Sequence, residues 1–210
     1  TNFEREMELA GVIVKRGRKV DPELILATKP DAIVLATGAH PYVPQFDGVD
    51  EAQVVTAWDV IAGRAKVGAS VVIADWKCDW IGLGVAEMLA TQGSRVRLCV
   101  NGEMPGETIQ NWTRYHYVGR LFKLGVKMLP YLRLFGADGD TVYFQSTLTD
   151  EPVIFEDVNS LVLSLGHQSE RTLRDKLSNL CSEVHLIGDC VTPRTAEEAV
   201  YEGLQVGCLL

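Results

Sequence analysis

Two dipeptides carry the chemistry that this sequence offers. Thr37-Gly38 closes an apolar run at 33–36, and Gly188-Asp189 closes another at 184–187, just ahead of a helical stretch at 196–208. A strand end followed by a helix start turns backbone N–H groups outward, and the helix dipole favours phosphate there. Glycine lets a ligand come close to the backbone, and a carboxylate accepts hydrogen bonds from sugar hydroxyls. Together these groups suit a dinucleotide such as FAD. The candidate cofactor-binding residues are Ala36, Thr37, Gly38, Gly188, Asp189, Cys190 and Ala196. Asp189 also suits a helix cap before Pro193, and it can serve both roles.

For the two dipeptides to face one ligand, their strands must close into a single sheet. Around them the spacing predicts a helix at 2–9, a strand at 12–14, a short helix at 21–28 and a buried strand at 33–36. Thr56 caps a short helix ending at Gly63. A strand at 70–74, a helix at 80–92 and a strand at 95–100 form a βαβ unit. A helix follows at 108–124. Runs at 126–129, 132–135, 141–145 and 153–155 read as a meander, with Asp138-Gly139 as a tight turn. Segment 159–165 begins the return to the first unit.

This pattern predicts an α/β fold: a Rossmann-like three-layer nucleotide-binding domain with an inserted second Rossmann-like α/β unit. The expected division is 1–55 plus 158–210 for a partial FAD-binding-type domain and 56–157 for an inserted NAD(P)-binding-like domain.

Composition narrows the function classes. The 210 residues are 47% hydrophobic, enough for a core, and the net charge of −8 argues against nucleic acid or an anionic membrane as partner. No apolar run is long enough to span a bilayer, and no signal peptide is visible, so a cytoplasmic protein is expected. The five cysteines, Cys78, Cys99, Cys181, Cys190 and Cys208, show no C-x-x-C spacing and read as reduced, mostly buried thiols. His40, His116, His167 and His185 share no metal spacing. With no nucleophile–base pair or carboxylate dyad, no residue qualifies as catalytic or metal-ligating.

The stretches 31–41 (DAIVLATGAHP), 81–89 (IGLGVAEML), 161–173 (LVLSLGHQSERTL) and 184–203 (VHLIGDCVTPRTAEEAVYEG) resemble the C-terminal portion of the large old yellow enzyme family. That group includes 2,4-dienoyl-CoA reductase and trimethylamine, dimethylamine and histamine dehydrogenases. The resemblance implies a flavin-dependent oxidoreductase whose N-terminal TIM barrel carries FMN and a 4Fe-4S cluster. The barrel is then the partner of this portion, which serves electron transfer through FAD or binds a structural ADP. A homo-oligomer stays open. A family FAD domain opens with a G-x-G-x-x-G βαβ unit, which this sequence lacks, so weak FAD binding by the chain alone is expected.

The inserted unit departs from the family's pattern. After its first strand stands Asp75-Trp76-Lys77-Cys78-Asp79-Trp80 in place of a glycine turn, and Asp75 and Asp79 are expected to repel a pyrophosphate. Gly82 and Gly84 are assigned to helix–sheet packing. Tight NAD(P)H binding is therefore not expected. The alternative function is a non-catalytic scaffold or domain-packing module with degenerate nucleotide sites.

Overall fold

A computed structural model of the chain describes residues 2–46, 52–177 and 183–210. In chain order the elements are α1 (Asn2–Leu9), α2 (Pro22–Thr28), β1 (Ile33–Leu35), β2 (Ala39–Pro41), β3 (Val54–Thr56), α3 (Ala57–Ile61), β4 (Ser70–Asp75), α4 (Trp80–Thr91) and β5 (Arg95–Val100). They continue with α5 (Asn111–Lys123), β6 (Lys127–Leu129), β7 (Leu132–Asp138), β8 (Thr141–Ser146), β9 (Pro152–Phe155) and β10 (Ser160–Ser164). Last come β11 (His167–Ser169), α6 (Thr172–Leu177), β12 (Val184–Leu186), a 3-10 turn at Gly188–Cys190, and α7 (Ala196–Leu209). Contacts divide the chain into two compact units, Thr1–Ala39 with Ser169–Leu210, and His40–Gln168.

The second unit is built on a parallel sheet of order β3-β10-β4-β5-β6. Strand β4 is buried along its whole length, as a parallel strand covered on both faces must be. Side chains alternate across it, because successive Cβ atoms point to opposite faces. Val71 and Ile73 join Leu83, Ala86 and Leu89 of α4 and Leu121 of α5 in one core. Val72 and Ala74 join Leu134, Val142 and Phe144 in a second core beneath the antiparallel meander β7-β8-β9. Helix α4 starts at Asp79, whose carboxylate accepts the Ile81 N–H at 2.9 Å. Thr56 caps α3 by accepting from the Asp59 N–H.

Three expectations change here. The run at 126–129 is not a meander strand: β6 pairs in parallel with β5, since it returns to the sheet through the crossover helix α5. The segment 159–165 does not leave the unit, because β10 lies between β3 and β4. With those strands in the sheet, the compact unit spans His40–Gln168 where 56–157 was expected.

The first unit is slighter. Strands β1 and β12 pair in parallel, Leu35 opposite Leu186. Their core consists of Ile25, Leu35 and Leu177, with Ile33, Leu173 and Val184 packed against it. Helices α1 and α7 have no buried residue. The expected strand at 12–14 does not form. Its apolar residues have strand propensity but no paired strand, and Ile13 is 83% exposed.

Candidate functional site

The first unit brings the two dipeptides together. Parallel pairing of β1 with β12 sets Ala36–Gly38 and Ile187–Asp189 at neighbouring carboxyl ends, where open α/β sheets take ligands. Ala36, Gly38, Gly188, Asp189 and Ala196 line one cleft of about 360 Å³, with Arg194, Thr195 and Ala199. Gly38 has φ +77°, and nothing lies within 4 Å of where its Cβ would stand. Gly188 has φ +68°, and a Cβ there would meet that of Ala199 at 3.4 Å.

Two of the seven candidate side chains turn elsewhere. The Thr37 hydroxyl donates to the Glu170 carbonyl at 2.6 Å. Cys190 is fully buried, with its sulfur 3.1 Å from the carbonyl oxygens of Leu35 and Ile187, so its thiol braces β1 to the following turn. Cys78 and Cys99 are buried too, Cys208 is exposed, and Cys181 lies outside the described residues.

The electrostatics of the cleft differ from a phosphate cradle. The Gly188 N–H already donates to Glu202 Oε2 at 2.7 Å. That bond, reinforced by Arg194, holds the Glu202 carboxyl below the usual carboxylate range. Asp189 Oδ1 accepts the Arg194 N–H at 3.1 Å. At the start of α7, Thr195 and Glu198 form a capping box, and the Glu197 N–H donates to the Thr195 hydroxyl. At the helix terminus the Thr195 N–H thus donates to the Glu198 carboxylate, while N–H groups of the first turn donate to the Thr195 hydroxyl. Arg194, Glu198 and Glu202 were absent from the sequence candidates. Glu198 and Glu202 lie three and seven residues after Thr195, so helical spacing from the cap could have found them.

The second unit has the corresponding place, the switch point between β4 and β10. It is filled. Trp58 Nε1–H donates to His167 Nε2 at 2.9 Å, and the two rings lie 5.1 Å apart. Between them, Lys77, Asp79 and Ser164 a space of about 10 Å³ remains, about enough for one water. Asp75 is fully buried, and burial pushes its carboxyl up to about 7. Oδ1 accepts the Cys78 N–H at 3.0 Å, while Oδ2 has no partner among the described residues. Asp75 fills the turn. Gly82 is required there, since a Cβ would fall 2.1 Å from Asp75 Oδ2. Gly84 has open space beside it, so the packing role expected of it has no counterpart. Among the described residues no cluster of His, Cys, Asp or Glu could hold a metal, and no helix is long and apolar enough to cross a membrane.

No protein-family model matches the chain. Curated relatives do. N,N-dimethylglycine/sarcosine dehydrogenase of Chromohalobacter salexigens is 25% identical over 97% of this chain and 35% of its own length. NADH oxidase of Thermoanaerobacter brockii is 28% identical over 97% of this chain and 32% of its own. The chain therefore spans about a third of the length of these relatives. A 2-naphthoyl-CoA reductase structure superposes with a TM-score of 0.84 at 24% identity, covering 98% of this chain and 31% of that one, which shows a shared fold. The matched proteins are flavin-dependent oxidoreductases, among them amine dehydrogenases and CoA-ester reductases. By sequence and by fold, the chain matches the C-terminal FAD/NAD-binding part of the old yellow enzyme-type flavin oxidoreductases.

Proposed function

We propose that this chain is the nucleotide-binding part of a flavin-dependent oxidoreductase, and that its first unit holds FAD or a structural ADP. The observation that carries the reading is the single cleft into which β1 and β12 bring Ala36, Gly38, Gly188, Asp189 and Ala196. Asp189 accepts hydrogen bonds from ribose or ribityl hydroxyls, Gly38 lets the ligand lie against the backbone, and Thr37 and Cys190 hold the strand ends in place. A bound flavin supplies reversible electron transfer, and the protein supplies binding and orientation. The partner domain is an N-terminal barrel with FMN and a 4Fe-4S cluster, acting on an amine or an enoyl-type substrate. A cytoplasmic setting belongs to the same reading. For the second unit, the crevice filled by Trp58 and His167 favours the scaffold alternative, a packing module without NAD(P)H.

Amide chemical-shift mapping on the full chain tests this without requiring tight binding. Adding FAD or ADP shifts the amides of Thr37, Gly38, Asp189 and Ala196, and Asp189→Ala weakens the response at least about tenfold. NADH leaves the amides of Asp75–Trp80 unmoved. Shifts confined to other residues, or an unchanged response in Asp189→Ala, would overturn the assignment.

A further inference from the structure

Helix α5 has an outer face more aromatic than its inner one. Trp112, Tyr115 and Phe122 are 75%, 68% and 70% exposed, and with Gly119 they fall at i, i+3, i+7 and i+10, a single stripe along the helix. The inner side holds its place through Leu121, the Trp80–Tyr117 ring contact and the Arg120–Glu87 ion pair. The stripe takes no part in that packing.

Gly119 is a separate observation. A glycine within a helix is unfavourable, yet nothing lies within 4 Å of where its Cβ would stand, and its φ is not positive. The chain's own fold gives no reason for the missing side chain. A neighbour packed closely against the middle of the stripe does.

Charge and area select that neighbour. Helix α5 carries Arg114, His116, Arg120 and Lys123 and no carboxylate, in a chain of net charge −8. Arg120 is paired to Glu87, while Arg114 and Lys123 form no ion pair among the described residues. A second copy would set these cations against themselves. The three aromatics offer on the order of 400 Å² at their exposures, below the roughly 800 Å² per partner of a stable dimer. An anionic bilayer would be repelled by the acidic remainder of the chain. We infer that α5 is a docking face for an acidic amphipathic helix, whose apolar seam lies on Trp112, Tyr115 and Phe122, crosses closest at Gly119, and sets its flanking carboxylates beside Arg114 and Lys123.

The test uses the full chain and two synthetic helical peptides of roughly four turns, each with a leucine seam, one flanked by glutamates and the other by lysines. Fluorescence anisotropy of the labelled peptides reads binding. The glutamate peptide binds at least about tenfold tighter than the lysine peptide, and added salt weakens it. Trp112→Ala and Phe122→Ala each lower its affinity about tenfold without moving the Tm, because both side chains are exposed. Gly119→Ala raises the Tm yet weakens binding, a split that a purely structural glycine would not give. No binding of the glutamate peptide, equal binding of both, or indifference to Trp112→Ala overturns the inference. So does self-association in sedimentation, or co-sedimentation with phosphatidylserine vesicles, if Trp112→Ala abolishes it; either result reassigns the face.

Discussion

The two units divide scaffold and site unequally. The second has a five-stranded sheet with a core on each face, and its nucleotide crevice is closed by its own Trp58, His167 and Asp75. The first has an open cleft between strand ends, and beneath it, among the described residues, a small core built on Ile25, Leu35 and Leu177. Apolar area removed from water is the main stabilising term in folding. The well-cored unit is therefore the rigid one, and the open site sits on the more labile part, where binding sites are often found.

The most direct way to break this comparison is unfolding. All four tryptophans, Trp58, Trp76, Trp80 and Trp112, lie in the second unit, so tryptophan fluorescence reports it alone. Circular dichroism in denaturant shows a first transition, invisible to fluorescence, at lower concentration. Phe144→Ala, at a site 1% exposed, lowers the stability of the fluorescence-detected transition by about 3–5 kcal/mol. Coincident transitions would refute the asymmetry.

Asp75 sharpens the comparison through pH. Its folded carboxyl titrates near 7 against 3.8 for the free group, so between these values the unfolded chain releases a proton that the folded chain keeps. Stability is full below about pH 4, falls as pH rises toward 7, and is flat above. The loss is on the order of 4 kcal/mol for a shift of this size. Asp75→Asn removes the slope and is the more stable protein at pH 8. An unchanged slope in denaturant melts across pH would place the titrating group elsewhere.

Much of this was legible in the sequence. The unbroken apolar run of β4, the Thr56 cap and the turn at Gly139 (φ +56°) all express local rules. What failed was non-local. Nothing in Ser160–Ser164 itself says that it lies between β3 and β4, and Val12–Val14 has strand residues but no strand to pair with. At the site, Gly38 and Gly188 were recognisable as glycines closing two apolar runs, and the positive φ of both is what the fold adds. Glu198 was missed although its spacing from Thr195 is that of a capping box, whereas the bond from the Gly188 N–H to Glu202 joins two elements that only the fold brings together. The burial that pushes the Asp75 carboxyl up to about 7 is likewise a property of its surroundings.

A smaller effect is expected at Gly188. Its φ of +68° is left-handed, so Gly188→Ala costs about 1–2 kcal/mol in the first unit and leaves the fluorescence transition unmoved. Thermal melts followed by circular dichroism check it.

The smallest effect bears on what the cleft recognises. Glu202 holds the Gly188 N–H and pairs with Arg194, and its ionised form contributes stability that is lost as pH falls through its lowered folded value. Glu202→Gln keeps an acceptor for that N–H but removes the charge and frees Arg194 to meet an anion. If the cleft reads sugar hydroxyls while its own carboxylates hold phosphate off, ADP affinity rises a few-fold at low salt and adenosine affinity stays level. Equal gains for both ligands would mean that Glu202 obstructs the cleft by its shape. A loss for both would mean that its carboxylate itself holds the sugar. Calorimetric titration of the two ligands into the variant separates these outcomes, and it does so in the half of the molecule where the core contributes least and the open strand ends offer the most.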